Sequence, residues 1–266
     1  MLFLSKEIMP TKILVTKRLQ LKDATLVVGL PGIGLVGKIA VDYLLKQLKT
    51  EKIAEVLSDS FPPSVHTKES KIYMIRDEIF YINLKGRDFL FLVGPVQPSL
   101  DNKVGTSHEH YEFAETLLGF FKSLGVTEIV TLAGINVGDA RLNTKPSVVV
   151  AATDDEMLKA WVTLGAKEDK KEGLISGAAG LMVGIGRLHG IKGACLMGET
   201  NAQLVYGDQG SAKKILELLH KKYGFKVKMT TIEKESKAIE KAFKDLTQNL
   251  EVMEEPKCEN GLTYVR

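Results

Sequence analysis

The sequence has few of the features that mark a secreted or membrane-bound protein. It has two cysteines among 266 residues, Cys195 and Cys258, which give neither a disulfide framework nor the spacing of a metal site. No apolar run approaches the roughly 20 residues that a membrane span needs. The apolar start, Met1 to Leu4, is interrupted by charged residues before it forms a signal-peptide core. We therefore expect a cytoplasmic protein that does not interact with a membrane.

Established catalytic motifs are also absent. There is no G-x-S-x-G elbow, no G-x-x-x-x-G-K-[ST] loop and no H-E-x-x-H motif. His108, His110 and Glu112 suggest a metal site, but His108 and His110 are two residues apart and would not face each other on a helix. The sequence therefore predicts no catalytic residue, no metal and no cofactor. It leaves open an active site that only the fold assembles.

The charge of the chain gives little support to nucleic-acid binding. The net charge is +3. Binding by counterion release requires clustered arginines or basic residues interleaved with aromatic side chains, and neither pattern occurs. We expect no nucleic-acid partner.

What the sequence does have is enough apolar residues for a large core, since 44% of it is hydrophobic. We predict one α/β domain over residues 1–229, organised around a strand, a glycine turn and a helix in residues 25–43. Gly32, Gly34 and Gly37 match G-x-G-x-x-G, a spacing that in dinucleotide-binding domains leaves helix amides free for a pyrophosphate.

The order of the later elements argues against a dinucleotide site. Four strand-like runs follow with no helix between them, namely Ile53–Leu57, Lys71–Ile75, Ile79–Leu84 and Phe89–Val93. We therefore interpret the glycine turn as architectural. We also predict a hairpin over Lys71–Leu84 that turns near Asp77, and helices that begin at capping boxes led by Thr106 and Thr153.

Two polar residues follow the last predicted core strand, Gly193–Gly198. Glu199 and Asn201 lie at its carboxyl end, where open α/β sheets usually bind their ligands. Together with Gly32, Gly34 and Gly37 they are the candidate residues for a nucleoside- or nucleotide-like ligand, which is the alternative in which the chain is an enzyme or a small-molecule binder.

Two segments favour self-association. Small residues at Gly177, Gly180 and Gly184 would lie on one side of a helix and permit close approach of a sheet or of another subunit. A C-terminal amphipathic helix is predicted over 230–251, and its apolar stripe needs a partner. The contact candidates on that stripe are Ile239, Phe243 and Leu246. We expect a homo-oligomer.

The last segment, 252–266, is predicted to be a flexible tail. It is polar and acidic around Pro256, and it then turns apolar at Leu262, Tyr264 and Val265 before Arg266. Apolar residues at the end of a polar tail are typical of a docking peptide.

An ordered set of stretches resembles the archaeal branch of the proteasome assembly chaperone 2 family, over roughly residues 22–225. The stretches are Gly29–Gly37, Phe120–Val130 with Ala133-Gly134, Gly177–Leu181, Gly190–Leu196 with Gly198-Glu199, and Ala212–Leu219. The resemblance implies an α/β/α sandwich around a mixed sheet, similar to phosphorylases, without established enzymatic activity. It also implies an oligomer, and for some members assembly of the proteasome core particle through its α subunits.

In this family the tail can end in a hydrophobic residue, a tyrosine and any residue, and it can insert between α subunits. Here the matching positions are Tyr264, Val265 and Arg266, so the penultimate tyrosine is missing and an aromatic residue occupies the hydrophobic position. The resemblance favours a non-enzymatic oligomeric chaperone or partner of the proteasome that docks to α subunits through its tail. An oligomeric scaffold without a proteasome role is the further alternative.

Overall fold

The computed structural model describes residues 11–98, 107–170, 172–230, 232 and 234. The strands are β1 Lys12–Val15, β2 Ala24–Gly29, β3 Glu51–Leu57, β4 Val65–Lys68, β5 Lys71–Met74, β6 Asp77–Leu84, β7 Arg87–Val93, β8 Val126–Asn136, β9 Val148–Ala152, β10 Lys167–Glu168 and β11 Lys192–Thr200. The helices are α1 Val36–Leu45, α2 Ser107–Ser123, α3 Ala140–Asn143, α4 Asp155–Leu164, α5 Ala178–Leu188 and α6 Gln209–Tyr223. Within the described residues, no helix combines the length and the apolar composition that crossing a bilayer requires.

Nine strands form one mixed sheet in the order β1-β3-β6-β7-β2-β8-β11-β9-β10. The central strands β7, β2, β8 and β11 are parallel. β6 is antiparallel to β7 and β3 is antiparallel to β6, so β3 runs in the same direction as the central strands. We use the name carboxyl edge for the side of the sheet at which these parallel strands end, namely β3, β7, β2, β8 and β11.

Side chains of the central strands alternate between two hydrophobic cores. Val27 contributes to a core with α1, α4 and α6, whereas Leu26 and Val28 contribute to a core with α2 and α5. Trp161 of α4 and Phe113 of α2 are fully buried in these two cores. Because successive side chains of a strand point to opposite faces, helices cover both faces of the sheet. The predicted α/β fold around a mixed sheet is confirmed.

The predicted hairpin over Lys71–Leu84 is wrong. β4 pairs with β5 across a turn at Glu69 and Ser70, and β6 pairs with β7 across a turn at Lys85 and Gly86. All four turn residues have positive φ, at 50°, 60°, 53° and 84°. Two-residue hairpin turns of type I′ need this conformation, and they prefer asparagine, aspartate and glycine. Glu69 and Ser70 are not among these preferred residues, so the sequence pattern did not indicate the first turn.

The capping box predicted at Thr153 is also wrong by one residue. The carboxylate of Asp154 caps α4 by accepting a hydrogen bond from the Met157 amide at 2.9 Å. The Thr153 hydroxyl instead accepts a hydrogen bond from the Gly193 amide at 3.0 Å, which ties the end of β9 to β11. Aspartate is at least as good a helix cap as threonine, so the preference for capping residues did not distinguish the two positions. Thr106 lies outside the described residues.

The glycine turn, residues 29–37, lies directly on β8 and β11. Gly34 has φ +60°, and a Cβ there would overlap with the side chain of Thr200. A Cβ on Gly37 would overlap with the carbonyl oxygen of Leu132. Glycine at these two positions is therefore explained by packing inside the protein.

After α6 the chain returns across α1. Phe225 and Ile232 are buried in the core that includes α1, α4 and α6. The Tyr43 hydroxyl donates to the Lys228 carbonyl at 2.8 Å and accepts from the Ile232 amide at 3.3 Å. Apart from positions 230, 232 and 234, the predicted helix over 230–251 lies outside the described residues, as do Ile239, Phe243, Leu246 and the tail over 252–266. The division at residue 229 stays a prediction.

Two substitutions in the glycine turn test its role. Gly34→Ala should lower the free energy of unfolding by about 1–3 kcal/mol, because it combines a left-handed backbone with overlap against Thr200. Gly32 has φ −157° and open space at its Cβ position. Gly32→Ala should therefore be neutral, or stabilising by about 0.5 kcal/mol. Urea denaturation of both variants measures the difference, and equal stabilities would contradict a structural role for the turn.

The carboxyl group of Asp77, at the start of β6, should make the stability of the fold depend on pH. This group is buried, packs on Gly94 and has no hydrogen bond of normal geometry among the described residues. Burial raises its pKa well above the usual range, although the Val96 backbone and the charge of Lys38 oppose this. The folded protein therefore binds this proton more tightly than the unfolded chain, in which the pKa is about 3.9. The stability from this group is complete at low pH and falls as pH rises toward the folded pKa.

Asp77→Asn should remove the loss of stability that accompanies rising pH. Relative to the unsubstituted protein, the variant should gain stability progressively as pH rises from about 4. Denaturation at several pH values measures the difference between the two proteins. Asp59→Asn, the same substitution at an exposed position, is the control and should not show the trend. Parallel pH profiles for Asp77→Asn and the unsubstituted protein would refute the assignment.

Candidate functional site

A cavity of about 220 Å³ opens at the carboxyl edge, where β2, β8 and β11 end. The glycine turn forms one side, and the segment that precedes α5 forms another. Its lining is mainly aliphatic and includes Val28, Ile33, Leu132, Ile135, Ile175 and Met197, with polar groups from Gln97, Asn136 and Ser176. Among the described residues, no charged side chain lines it. The cavity therefore offers no carboxylate or ammonium group there for acid–base chemistry.

Gln97 holds the two sides of the cavity together. Its amide nitrogen donates to the Pro31 carbonyl at 2.6 Å, and its amide oxygen accepts from the Ala178 backbone amide at 3.1 Å. The second hydrogen bond satisfies one of the unpaired amides at the start of α5. Sequence reasoning missed Gln97. Its only signal was a polar residue shortly after a buried strand, β7.

A buried ion pair stabilises the loops beside the cavity. Arg141 donates to both carboxylate oxygens of Asp208, at 2.7 and 2.8 Å, and the two side chains are 5% and 1% exposed. Asp208 also accepts from the Thr200 hydroxyl at 3.0 Å and from the Ser211 amide at 2.9 Å, which caps α6. The Asp208 amide donates to the Gly34 carbonyl at 2.8 Å. Asp208 therefore connects β11, α3 and α6 through its carboxylate and reaches the glycine turn through its backbone amide.

The five predicted ligand residues do not converge on one site. Gly32 lines the cavity, whereas Gly34 and Gly37 pack against β11 and β8. Glu199 accepts from the Ser147 amide at 2.9 Å and from its hydroxyl at 2.5 Å. Asn201 is buried, and neither it nor Glu199 lines the cavity. Nucleotide binding by this set stays a prediction that the geometry does not favour.

Glu199 is held in place as an ionised structural group. Partial burial acts to raise its pKa, but the Ser147 hydrogen bonds and the charge of Lys167, 3.6 Å away, outweigh it, so the pKa is lowered. The Glu199 carbonyl also accepts from the Ser211 hydroxyl. Its carboxylate is therefore used to attach the start of β9 to β11.

The three glycines around α5 have different environments. Gly177 is the buried N-cap, with φ +78°, and a Cβ there would approach Gln97. A Cβ on Gly180 would overlap with the carbonyl oxygen of Ile175. Gly184 faces open space. Gly177 and Gly180 thus permit close packing within the chain, and Gly184 is the one of the three that lies open to another subunit.

The cysteine and histidine chemistry of the described residues is limited. Burial raises the pKa of the Cys195 thiol to about 11, which disfavours the reactive thiolate at neutral pH. Glu112, one of the residues considered for a metal, accepts from the amide and the hydroxyl of Thr11 at 3.1 and 2.6 Å. In the part of the chain that the structure describes, no three His, Cys, Asp or Glu side chains converge as metal ligands.

Comparison with known proteins assigns the family. Residues 26–247 match the PAC2 family. This chain belongs to the PAC2 family. It is also 31% identical over 250 residues to the Methanocaldococcus jannaschii protein MJ1210, a match that covers 92% of this chain and 93% of that one.

Solved structures agree with this assignment. The crystal structure of Pyrococcus furiosus PbaB, an archaeal proteasome activator, matches with a TM-score of 0.81 and 30% identity, over 90% of this chain and 99% of that one. Pyrococcus furiosus PbaA, an archaeal homologue of a proteasome-assembly chaperone, matches with a TM-score of 0.71 and 23% identity, over 92% and 94% of the two chains. The second likeness supports the fold alone.

The buried ion pair predicts a large stability effect. Asp208→Ala should destabilise the protein by about 3–5 kcal/mol, because it leaves the Arg141 charge buried without this carboxylate. Glu51→Ala removes a carboxylate from an exposed ion pair with Lys17. The side chain of Glu51 is 53% exposed and that of Lys17 is 46% exposed. It should cost less than about 1 kcal/mol. Denaturation curves that gave the same small loss for both variants would exclude Asp208 as the central contact.

Proposed function

We propose that this protein is a non-enzymatic partner of the proteasome core particle. In this proposal it acts as a homo-oligomer and docks to proteasome α subunits through its C-terminal tail. The globular α/β domain serves as the scaffold. The tail residues Leu262, Tyr264, Val265 and Arg266 form the contact.

The observation that carries the proposal is the likeness to PbaB, a proteasome activator. It combines 30% identity with a TM-score of 0.81, and it extends over nearly the whole of both chains. A likeness of this extent covers the arrangement of all the main elements and is not restricted to one motif.

The chemistry of the carboxyl edge supports a role without catalysis. The cavity there has an aliphatic lining without charged side chains in its described part. Two of the polar residues that line it are engaged in structural contacts: Gln97 bonds to Pro31 and Ala178, and Asn136 accepts from the amides of Gly138 and Ala202. Glu199 is likewise held by Ser147. An apolar concave surface is better suited to a protein contact than to acid–base catalysis.

Repetition of the tail would compensate for its small size. Four residues in one pocket bind weakly on their own. Several tails on one oligomer bind at high effective concentration, which raises the avidity by about 10²–10⁴ where their spacing matches the target. Self-association therefore supports the tail contact energetically.

A truncation tests the proposal. Removal of residues 261–266 should leave the fold intact and lower binding to assembled proteasome α subunits by about tenfold or more. Tyr264→Ala should reproduce much of the loss, while the neighbouring Thr263→Ala serves as the matched control. Binding is measured by surface plasmon resonance with immobilised core particles.

Two results would overturn parts of the proposal. Undiminished binding of the truncated protein would exclude the tail as the contact. No binding by the intact protein would favour the oligomeric scaffold without a proteasome role. A shift of several degrees in the melting temperature with a nucleoside or nucleotide would instead favour the small-molecule alternative.

A further inference from the structure

The hairpin of β4 and β5 extends from the carboxyl edge, and the other described elements give it little support. All eight of its strand residues are exposed. Among the described residues, each of its strands pairs only with the other. A two-stranded hairpin is marginally stable in water unless another surface covers one of its faces.

One face of this hairpin is apolar. The register pairs Val65 with Met74 and Thr67 with Ile72, so these four side chains share a face. Val65, Ile72 and Met74 are 50%, 72% and 57% exposed. Together they present on the order of 300 Å² of apolar surface, comparable to the largest patch on many monomers.

The rest of the exposed apolar surface is also concentrated at this edge. Nine of the thirteen large hydrophobic side chains that are exposed in the described residues belong to the hairpin, the glycine turn, the start of α2, the segment before α5 or the loop after β11. The other four are Leu14, Val15, Val162 and Leu188. The carboxyl edge is therefore the main apolar surface of the described chain.

The same edge carries a concave counterpart to the hairpin. The cavity of about 220 Å³ is rimmed by Ile33 and Leu174, which are 45% and 97% exposed. The exposed residues Val205 and Tyr206 lie in the loop whose Asp208 amide is bonded to Gly34. A cavity of this size accommodates one or two aliphatic side chains, and its described lining has no charge that would oppose them.

We infer that two copies of this chain associate edge to edge, with the apolar face of each β4–β5 hairpin against the cavity rim of the other. This inference rests on the self-association in the proposed function and specifies its surface. The hairpin is attached beside β3 and β6, about three strand spacings, or roughly 14 Å, from the cavity at β2 and β8. A twofold axis perpendicular to the sheet places each hairpin opposite the partner's cavity, as an isologous interface requires.

The area favours a second copy over an unrelated peptide. A specific interface buries about 800 Å² on each partner. The hairpin face alone supplies less than half of this, and so does the cavity rim. The hairpin face and the cavity rim of one copy together come closer to the area required on each partner, and a twofold axis matches each patch with one on the other copy.

Substitutions at largely exposed positions test the interface with little effect on the fold. Ile72→Glu and Leu174→Glu should each raise the dissociation constant of the dimer by about tenfold or more, because each places a charge in an apolar contact. Leu188→Glu is the matched control, since Leu188 is 83% exposed at the opposite end of α5. Light scattering of the full-length chain over a range of concentrations measures the effect, and melting curves confirm that each variant is folded.

Cross-linking tests the pairing directly. In a Cys258→Ser background, mixing a Met74→Cys variant with a Leu174→Cys variant should give a disulfide-linked heterodimer under mild oxidation. Mixing Met74→Cys with Leu188→Cys should not. A dimer that persists unchanged in Ile72→Glu and Leu174→Glu, or cross-linking that does not distinguish Leu174→Cys from Leu188→Cys, would overturn the inference.

The remaining outcomes separate this inference from the proposed function. A full-length protein that is monomeric at all concentrations overturns both the inference and the oligomeric part of the proposal. If Ile72→Glu leaves the oligomer intact but abolishes proteasome binding, the hairpin contacts the proteasome and the inference is wrong. If the intact protein dimerises through these residues without binding the proteasome, the inference holds and the proposed function fails.

Discussion

The contact between the glycine turn and the ends of β8 and β11 is the constraint on which the carboxyl edge depends. Gly37 approaches the Leu132 carbonyl so closely that no side chain fits between them, and Gly34 does the same against Thr200. The Gly34 carbonyl then accepts the Asp208 amide. Through the Asp208 carboxylate, the turn is joined to α3 and α6. Two of the three glycines that sequence motifs associate with a phosphate, Gly34 and Gly37, are thus used to pack strands and helices of the same chain.

This packing decides what the carboxyl edge can do. Open α/β sheets usually bind small molecules there, and the cavity shows that the fold keeps some space at that place. Its described walls are aliphatic, and the nearby carboxylates of Asp208 and Glu199 are held by hydrogen bonds and ion pairs. What remains accessible is an apolar surface with an exposed hairpin beside it. These properties favour contact with proteins, in agreement with membership of the PAC2 family and with the proposed partnership with the proteasome.

Much of the fold was predictable because buried strands are continuous apolar runs, which the sequence shows directly. The features that were missed depend on contacts between distant residues or on unusual backbone. Arg141 and Asp208 are 67 residues apart, so their pairing leaves no local pattern. The turn at Glu69 and Ser70 adopts positive φ without the residues that favour it. At the candidate site, only Gly32 of the five predicted ligand residues lines the cavity, because position at a strand end does not determine which way a side chain points.

Hydrogen exchange at the Asp208 amide tests most directly whether the glycine turn is a structural contact. This amide donates to the Gly34 carbonyl at 2.8 Å, and it reports whether the turn stays closed on β11. The account predicts that it exchanges as slowly as the amides of β8, and that added nucleotides, nucleosides or inorganic phosphate do not change its rate. Fast exchange in the free protein that a nucleotide slows would contradict the account, because it would show a turn that opens and closes on a ligand.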